Sequence, residues 1–576
     1  MNTPASRSSL LAEGDGRDPA ATDRAEEALV RRHERDEFQV EGEGILTFGT
    51  DGKPIVRKPD PEGGERRFRF SRLGPRATPA AERAAADNDI ATVLATAMTS
   101  AASPDSAGPA IPAGYTYLGQ FVDHDLTMDA TATALGDEVP VEELVQGRSP
   151  ALDLDSLYGR GPADDEHARF YQPDGVRLRV GVTAGVGGDD PVASRDLDGH
   201  DLPRRGVGAS KAARRAADIP DSRNDENLIV AQLHLGFIRF HNRVADHFAR
   251  PGLSAATLFE RARTAVECHY QWMLRTDFLP RIVDPAIVED VFTNGRSFVE
   301  PGSISRTPTM PIEFSVAAYR FGHSMVRGGY EWNRFFNGGP DALAPGSLAL
   351  LFNFSGTSGT LSADGSPDDP ESGSFERLPT NWIADFRRLF DFTEAGRDDL
   401  AGPGLNVAKR IDTLLVDPLS TLPAGSFEGR GSIPAIQRNL AFRNLTRAGM
   451  VDLASGPQMA THLGVAPLTT EQLINGNGGA VLGDLTAGQR SVLAENAPLW
   501  FYVLREAEVN GGRLGAVGGR IVTEVFHRAM AGSRISTVRD DGWRPFLGAE
   551  ADRFTMADLL LFAFDGKADL LNPLGD

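Results

Sequence analysis

Residues 219–248 read IPDSRNDENLIVAQLHLGFIRFHNRVADHF, and this stretch sets the class of the fold. Pro220, Asp221 and Ser222 are residue types that start helices, and the apolar positions after them recur at helical spacing. Arg223 and Glu226 then fall three apart on one face of the first turn. Alone, an Arg-x-x-Glu pair reads as a surface ion pair. Amphipathic runs of the same kind occupy 254–280, 313–327, 384–396, 434–448, 486–509 and 514–531, with a further helical stretch at 88–100. Alternating Val-, Ile- and Thr-rich segments are scarce, and no internal repeat is present. Acidic, Gly/Pro-rich spans at 159–166, 185–208 and 337–373 read as long surface loops. The expected architecture is mainly α, with long loops and few, short strands.

The chain has 576 residues, beyond the roughly 250–300 at which a single core stops growing. The pattern turns globular at about Arg67. Residues 1–66 are therefore expected to form a polar, partly flexible arm, with a short exposed helix in RAEEALVRRHERDEF (24–38), and 67–576 the functional domain. Lys and Arg number 59 against 80 Asp and Glu, a net charge of −21. That balance argues against non-specific nucleic-acid binding and against docking on anionic membranes. Cys268 is the only cysteine, so a disulfide framework and any multi-cysteine metal centre are excluded. Its apolar surroundings predict an inert buried thiol. No run approaches the roughly 18–20 apolar residues of a transmembrane helix, and the N-terminal stretch lacks a signal-peptide pattern. The expectation is a soluble monomer, cytoplasmic or secreted without a leader.

Most of the eleven histidines have bland readings. His33, His167, His200 and His462 fall in polar loops or arms, and His247, His269 and His527 on ordinary helical patterns. Two stand in unusual company. In YLGQFVDHDLTMD (117–129), His124 is flanked by Asp123 and Asp125, with Gln120 four residues before it. Two carboxylates in an otherwise apolar segment are costly to bury unless a cation or cofactor neutralises them; a solvated acidic turn is the alternative. In YRFGHS (319–324), Arg320 and His323 lie three apart, with Gly322 removing bulk beside the imidazole. Asn444 and Arg447 repeat that spacing in RNLTR (443–447). In RSPALDLDSLYG (148–159), Ser149, Ala151, Asp153 and Asp155 are spaced by two, so an extended chain would point all four one way. Carboxylates, a hydroxyl and a main-chain carbonyl form a hard-oxygen set suited to calcium, with Asp125 a candidate to complete it. A solvated loop is the alternative.

Taken together, GQFVDHD, LDLDSLYG, SRNDENL with HNRVA, YRFGHS and RNLTR occur in the order and rough spacing of the animal-type haem peroxidases of the peroxidase–cyclooxygenase superfamily. The resemblance is greatest to the bacterial members, which lack disulfides. APLWFYVLREAE (497–508) and GGRIVTEVF (518–526) are similar to the family's C-terminal helices, so the likeness runs from about Arg67 to the end. It implies a helical domain with haem b held between central helices. His323 resembles the proximal iron ligand, and Asn444 the residue that accepts a hydrogen bond from that ligand's other ring nitrogen. Arg320 and Arg447 match positions that pair with haem propionates.

On the other side, His124 resembles the distal base that moves a peroxide proton. Arg223 matches the group that stabilises charge as the O–O bond breaks, and Gln120 a residue that orders water or halide. Asp123 and Glu226 match carboxylates that form ester links to the haem. The family's methionine after that glutamate is Asn227 here, so a sulfonium link is not expected. Asp125, Ser149, the Ala151 carbonyl, Asp153 and Asp155 resemble a site for one calcium ion, with Asp155 where mammalian members usually carry serine. The implied activity is hydrogen-peroxide-dependent oxidation of phenols, anilines or halides. A fatty-acid dioxygenase on the same fold is the runner-up. In those relatives a tyrosine stands three residues before the proximal histidine, where this chain has Arg320. A non-catalytic haem- or calcium-binding module is the third reading.

Overall fold

In the computed structural model, the described residues are 37–41, 44–48, 54–57, 68–100, 108–129, 131, 135–303, 307–369, 371–422 and 433–576. The helices that frame the site are α1 (Gly114–Leu126), α2 (Leu228–Phe248), α3 (Ala255–Met273), α4 (Gly322–Met325), α5 (Leu440–Met450), α6 (Leu499–Val509) and α7 (Gly518–Gly532). The fold is mainly helical, as the apolar periodicity predicts. Ser222–Asp225 forms a 3-10 turn ahead of α2. Asn227 then caps α2, its Oδ1 accepting from the Val230 N–H at 3.0 Å. Such a cap satisfies a donor that the first helical turn leaves open.

α2 is the centre of the core and packs on both α1 and α3. Phe121 of α1 stacks on Phe237 of α2 with ring centroids 4.4 Å apart, and Tyr270 of α3 meets both rings edge-on. Burying each ring contributes roughly 2–3 kcal/mol relative to exposure. Gly114 lets α1 start against Phe390, since a Cβ there would lie 2.2 Å from that ring.

Several expected helices are interrupted, each for a local reason. The run 313–327 is a π turn (Glu313–Ala317), a 3-10 turn (Ala318–Phe321) and the single turn α4. The buried Glu313 carboxylate there accepts the N–H groups of Leu73 and Gly74, both at 2.9 Å. The run 384–396 holds only two 3-10 turns. Asp385 and Asp391 start them by accepting from the backbone two residues on, a bond that competes with regular helix. The run 486–509 breaks at Pro498 into Ala487–Asn496 and α6.

The strands are few and short. Three of them, β1 (Glu37–Glu41), β2 (Gly44–Phe48) and β3 (Pro54–Arg57), form an antiparallel sheet in the order β1-β2-β3. Ile45 pairs with Arg57 and Phe48 with Pro54. This sheet falls within residues 1–66, where Ile45, Phe48, Ile55 and Val56 are β-prone residue types. The expected helix at 24–38 lies outside the described residues apart from its last two positions, which begin β1. His167 and His200, read as loop histidines, are both buried. Among the described residues no helix is long and apolar enough to cross a membrane.

Candidate active site

A cavity of about 420 Å³ opens between α1, the turn before α2, α4 and α5, a size typical of small-molecule and cofactor sites. Gln120, Asp123, His124, Glu226, Arg320, His323, Asn444 and Arg447 all line it. Residues more than 300 positions apart in sequence are thus gathered on one surface. Met325, Val326, Leu348, Phe352, Leu419, Leu422 and Leu440 supply apolar wall. Four of the five motifs meet here, LDLDSLYG lining neither cavity, because α1, α5 and the segment running from the 3-10 turn Ala318–Phe321 into α4 each place a polar i, i+3 or i, i+4 pair on the face turned toward the gap.

His124 sits in the last turn of α1, a regular helix rather than an acidic turn. Its Nδ1 lies 2.8 Å from Asn224 Oδ1, and its Nε2 is 3.5 Å from Glu226 Oε1. Glu226 Oε1 also accepts from Gln120 Nε2, and Gln120 Oε1 accepts from Asn227 Nδ2 at 2.9 Å. Asp123 accepts from Thr127 Oγ1 at 3.0 Å. The carboxylates flanking His124 therefore diverge: Asp123 faces the cavity, whereas Asp125 is wholly buried.

His323 lies on α4, after the broken run. Burial and then the neighbouring Arg320 charge push its pKa down to about 3, so the ring is neutral at ordinary pH. Asn444 Nδ2 is 2.9 Å from His323 Nδ1, and Asn444 Oδ1 takes Arg320 Nη1 at 3.4 Å. The expectation was that Asn444 accepts from this ring. As oriented it donates instead; a half-turn of the amide would let Oδ1 accept from the ring but would give up the contact with Arg320, since amide nitrogen and guanidinium both donate. Only in the turned orientation, with Nδ1 donating to Oδ1, is Nε2 the bare ring nitrogen left for a ligand. Arg320 donates Nε to the Ser315 carbonyl at 2.9 Å. Burial, then repulsion from Arg447, lowers its pKa to about 10. Arg320 and Arg447, both lining the cavity, suit anionic groups of a cofactor.

Arg223 does not line this cavity. It borders a second one of about 230 Å³, which shares Asp123, Arg320 and Arg447 with the first. Its Nε and Nη2 hold Asp221 at 3.1 and 2.7 Å, while Nη1 and Nη2 donate to the carbonyls of Thr127 and His124 at 2.8 and 2.9 Å. A cation on the last carbonyls of α1 is favoured by the helix dipole. Burial opposes charge on Asp221, but the guanidiniums of Arg148 and Arg223 outweigh it and hold the carboxyl well below its usual range. Arg148, itself buried, meets Asp221 at 2.8 Å and adjoins Ser149.

Asp125, Asp153 and Asp155 are all buried and each offers a carboxylate oxygen within 4.8 Å of the others. The chain reaches this arrangement by a bend, not by the extended run expected. Leu154 takes a left-handed conformation at φ 57°, and Asp155 begins the short helix Asp155–Tyr158. A β-branched or bulky residue is strained there, and the bend is what folds Asp153 and Asp155 back toward Asp125. Ser149 Oγ lies 3.3 Å from Asp153 Oδ2, while the Ala151 carbonyl accepts the Asp153 N–H at 3.1 Å. Three buried carboxylates in contact fit a divalent cation held by oxygen. Two groups around His124 carried no distinctive signal in the sequence: Asn224, inside a motif noted for its neighbours, and His234, four residues past Val230 on a plain apolar helix.

Residues 129–340 match the family model for the animal haem peroxidase. Thyroid peroxidase of Rattus norvegicus is 29% identical over 187 residues, which cover 32% of this chain and 19% of that protein. Chorion peroxidase of Drosophila melanogaster is 27% identical over 184 residues, covering 31% and 21%. The chain thus spans about a fifth of the length of these relatives. Among solved structures, an Oryza sativa fatty acid alpha-dioxygenase variant with palmitic acid superposes with a TM-score of 0.52 at 15% identity, over 94% of this chain and 88% of that one. That likeness is one of fold.

Proposed function

We propose that this chain, which belongs to the animal haem peroxidase family, is a haem peroxidase that uses hydrogen peroxide to oxidise small donors such as phenols, anilines or halides. The observation that carries the reading is a single cavity lined by both His124 and His323, with Arg320, Arg447 and Asn444 beside the second histidine. The residues fit a haem. His323, neutral, would ligate the iron through Nε2 with the Asn444 amide turned to accept from Nδ1, and Arg320 and Arg447 would take the propionates. Asp123 and Glu226 would form ester links, while Asn227 offers no sulfur for a further one. When bound, the haem supplies the redox chemistry.

The protein's own part is proton handling and orientation. His124 would take a proton from the near oxygen of the peroxide at Nε2 and return it to the far oxygen, so that water leaves. Gln120 would order the water or halide in front of it. Arg223 would act from behind α1, adding positive potential as charge builds on the departing oxygen. Asp125, Ser149, the Ala151 carbonyl, Asp153 and Asp155 would hold one calcium ion. Residues 67–576 would form this catalytic unit, acting as a monomer, with 1–66 as an appended arm. Turnover of a phenol, an aniline and bromide with hydrogen peroxide, beside palmitate with dioxygen, tests the assignment. Peroxide-dependent oxidation without palmitate oxygenation is expected; the reverse pattern would establish the dioxygenase.

A further inference from the structure

Asn224 is fully buried in the 3-10 turn ahead of α2. Its amide touches two imidazoles: Oδ1 lies 2.8 Å from His124 Nδ1, and Nδ2 lies 2.9 Å from His234 Nδ1. An amide oxygen only accepts and an amide nitrogen only donates. In this orientation His124 must therefore carry a proton on Nδ1, and His234 must present Nδ1 bare. We propose that Asn224 is a positioning residue that fixes the His124 proton on Nδ1 and so leaves Nε2 as a lone pair facing the cavity, with His234 holding the amide the right way round. The inference rests on the peroxidase reading, because that reading requires a base at Nε2.

His234 can play this part because it does not become charged. Burial depresses its pKa to about 3, so it is a neutral ring, and in the observed amide orientation its single proton falls on Nε2. Edge-on packing of Phe121 against its ring, centroids 5.8 Å apart, limits its rotation. Turning the Asn224 amide by half would set Oδ1 against the His234 lone pair and move the His124 proton to Nε2, where it blocks proton uptake. An amide is also better suited than a carboxylate. A carboxylate at Nδ1 would favour the imidazolium and fill the site that must accept the peroxide proton, whereas an amide selects a tautomer without adding charge.

The test uses the full-length holoprotein and the variants Asn224→Leu, His234→Phe and His234→Gln. Histidine-selective 15N spectra of the ferrous carbon monoxide complex, which is diamagnetic, read the tautomer; the His124 signal is assigned by its loss in His124→Ala. In the wild type it should show a protonated Nδ1 and a bare Nε2, and in Asn224→Leu that preference should be lost. The rate of reaction with hydrogen peroxide should fall by roughly tenfold or more in Asn224→Leu, part of what general acid–base assistance supplies. It should fall less in His234→Phe, and stay within about threefold of wild type in His234→Gln, whose side-chain oxygen can still accept from Asn224. Oxidation of a phenol by the peroxide-treated enzyme should be unchanged in all three. A proton on His124 Nε2 in the wild type would overturn the proposal. So would Asn224→Leu with an unaltered tautomer and an unaltered peroxide rate, or His234→Phe with both unaltered if Asn224→Leu does not fold. A wild type that binds haem yet ignores peroxide would instead remove the peroxidase reading, and the tautomer would still decide the role of Asn224.

Discussion

The two histidines of the cavity are held in different ways. His124 ends a regular thirteen-residue helix, and its ring is held at Nδ1 by the Asn224 amide, which His234 holds in turn. His323 follows a π turn and a 3-10 turn, and one amide, Asn444, meets its ring. Irregular helix is a recurrent way to turn a side chain off the line of its own segment. The contrast teaches that α1 fixes direction by a network, so its residues are individually replaceable at a cost in rate. The α4 segment fixes direction by backbone shape, and there the imidazole itself is what cannot be replaced.

That difference sets the order of expected effects. His323→Ala should lose most bound haem, read as the haem-to-protein absorbance ratio after purification with haem supplied. Full occupancy would dissolve the distinction between the two sides. His124→Ala should keep its haem but react with hydrogen peroxide about 10²–10⁴-fold more slowly, measured by stopped flow at the Soret band. A rate equal to wild type would make the α1 network decorative.

Next comes the cation expected beneath α1. Asp125 follows His124 directly, and Arg148 links Ser149 to Asp221 and so to Arg223. Exhaustive chelation should therefore lower both the melting temperature and the turnover number, with one calcium per chain found by elemental analysis beforehand. Loss of stability with turnover per folded molecule unchanged would uncouple the site from His124.

The smallest effect concerns acid. Burial lowers the pKa of His241 on α2 and of His269 on α3 to about 4 from 6.5. The unfolded chain then binds more protons than the native one between those values. Their contribution to stability is complete above about pH 6.5 and is lost as pH falls toward 4. The melting temperature should decline across that window, and His241→Gln with His269→Gln should make the decline shallower, the remainder belonging to His200, His527 and the other buried histidines whose pKa burial lowers. An equally steep decline in the double variant would place the acid sensitivity elsewhere.

Much of this site is legible in the amino-acid order, and its limits are physical. Helical spacing around Asn88, Leu228 and Leu440 predicts the helices found there, because each pairs a side-chain cap with an amphipathic run. The gathering of Gln120, His124, His323 and Asn444 is implied by family likeness, not by spacing, since no local rule relates α1 to α5. The broken run at 313–325 escapes a periodicity argument, because the buried Glu313 binds backbone from a distant segment. So does the bend at Leu154, where tertiary packing overrides the extended pattern of Ser149–Asp155. Asn224 and His234 are invisible in sequence for a simpler reason: their chemistry consists entirely of contacts to residues of other elements or turns.

The most direct test of the central claim is the optical spectrum of the purified full-length protein before and after one equivalent of hydrogen peroxide. The account predicts a Soret band at stoichiometric haem, displaced within seconds by peroxide and restored when a phenol is added. A protein that takes up no haem when it is supplied, or whose Soret band one equivalent of peroxide leaves unmoved, would contradict it.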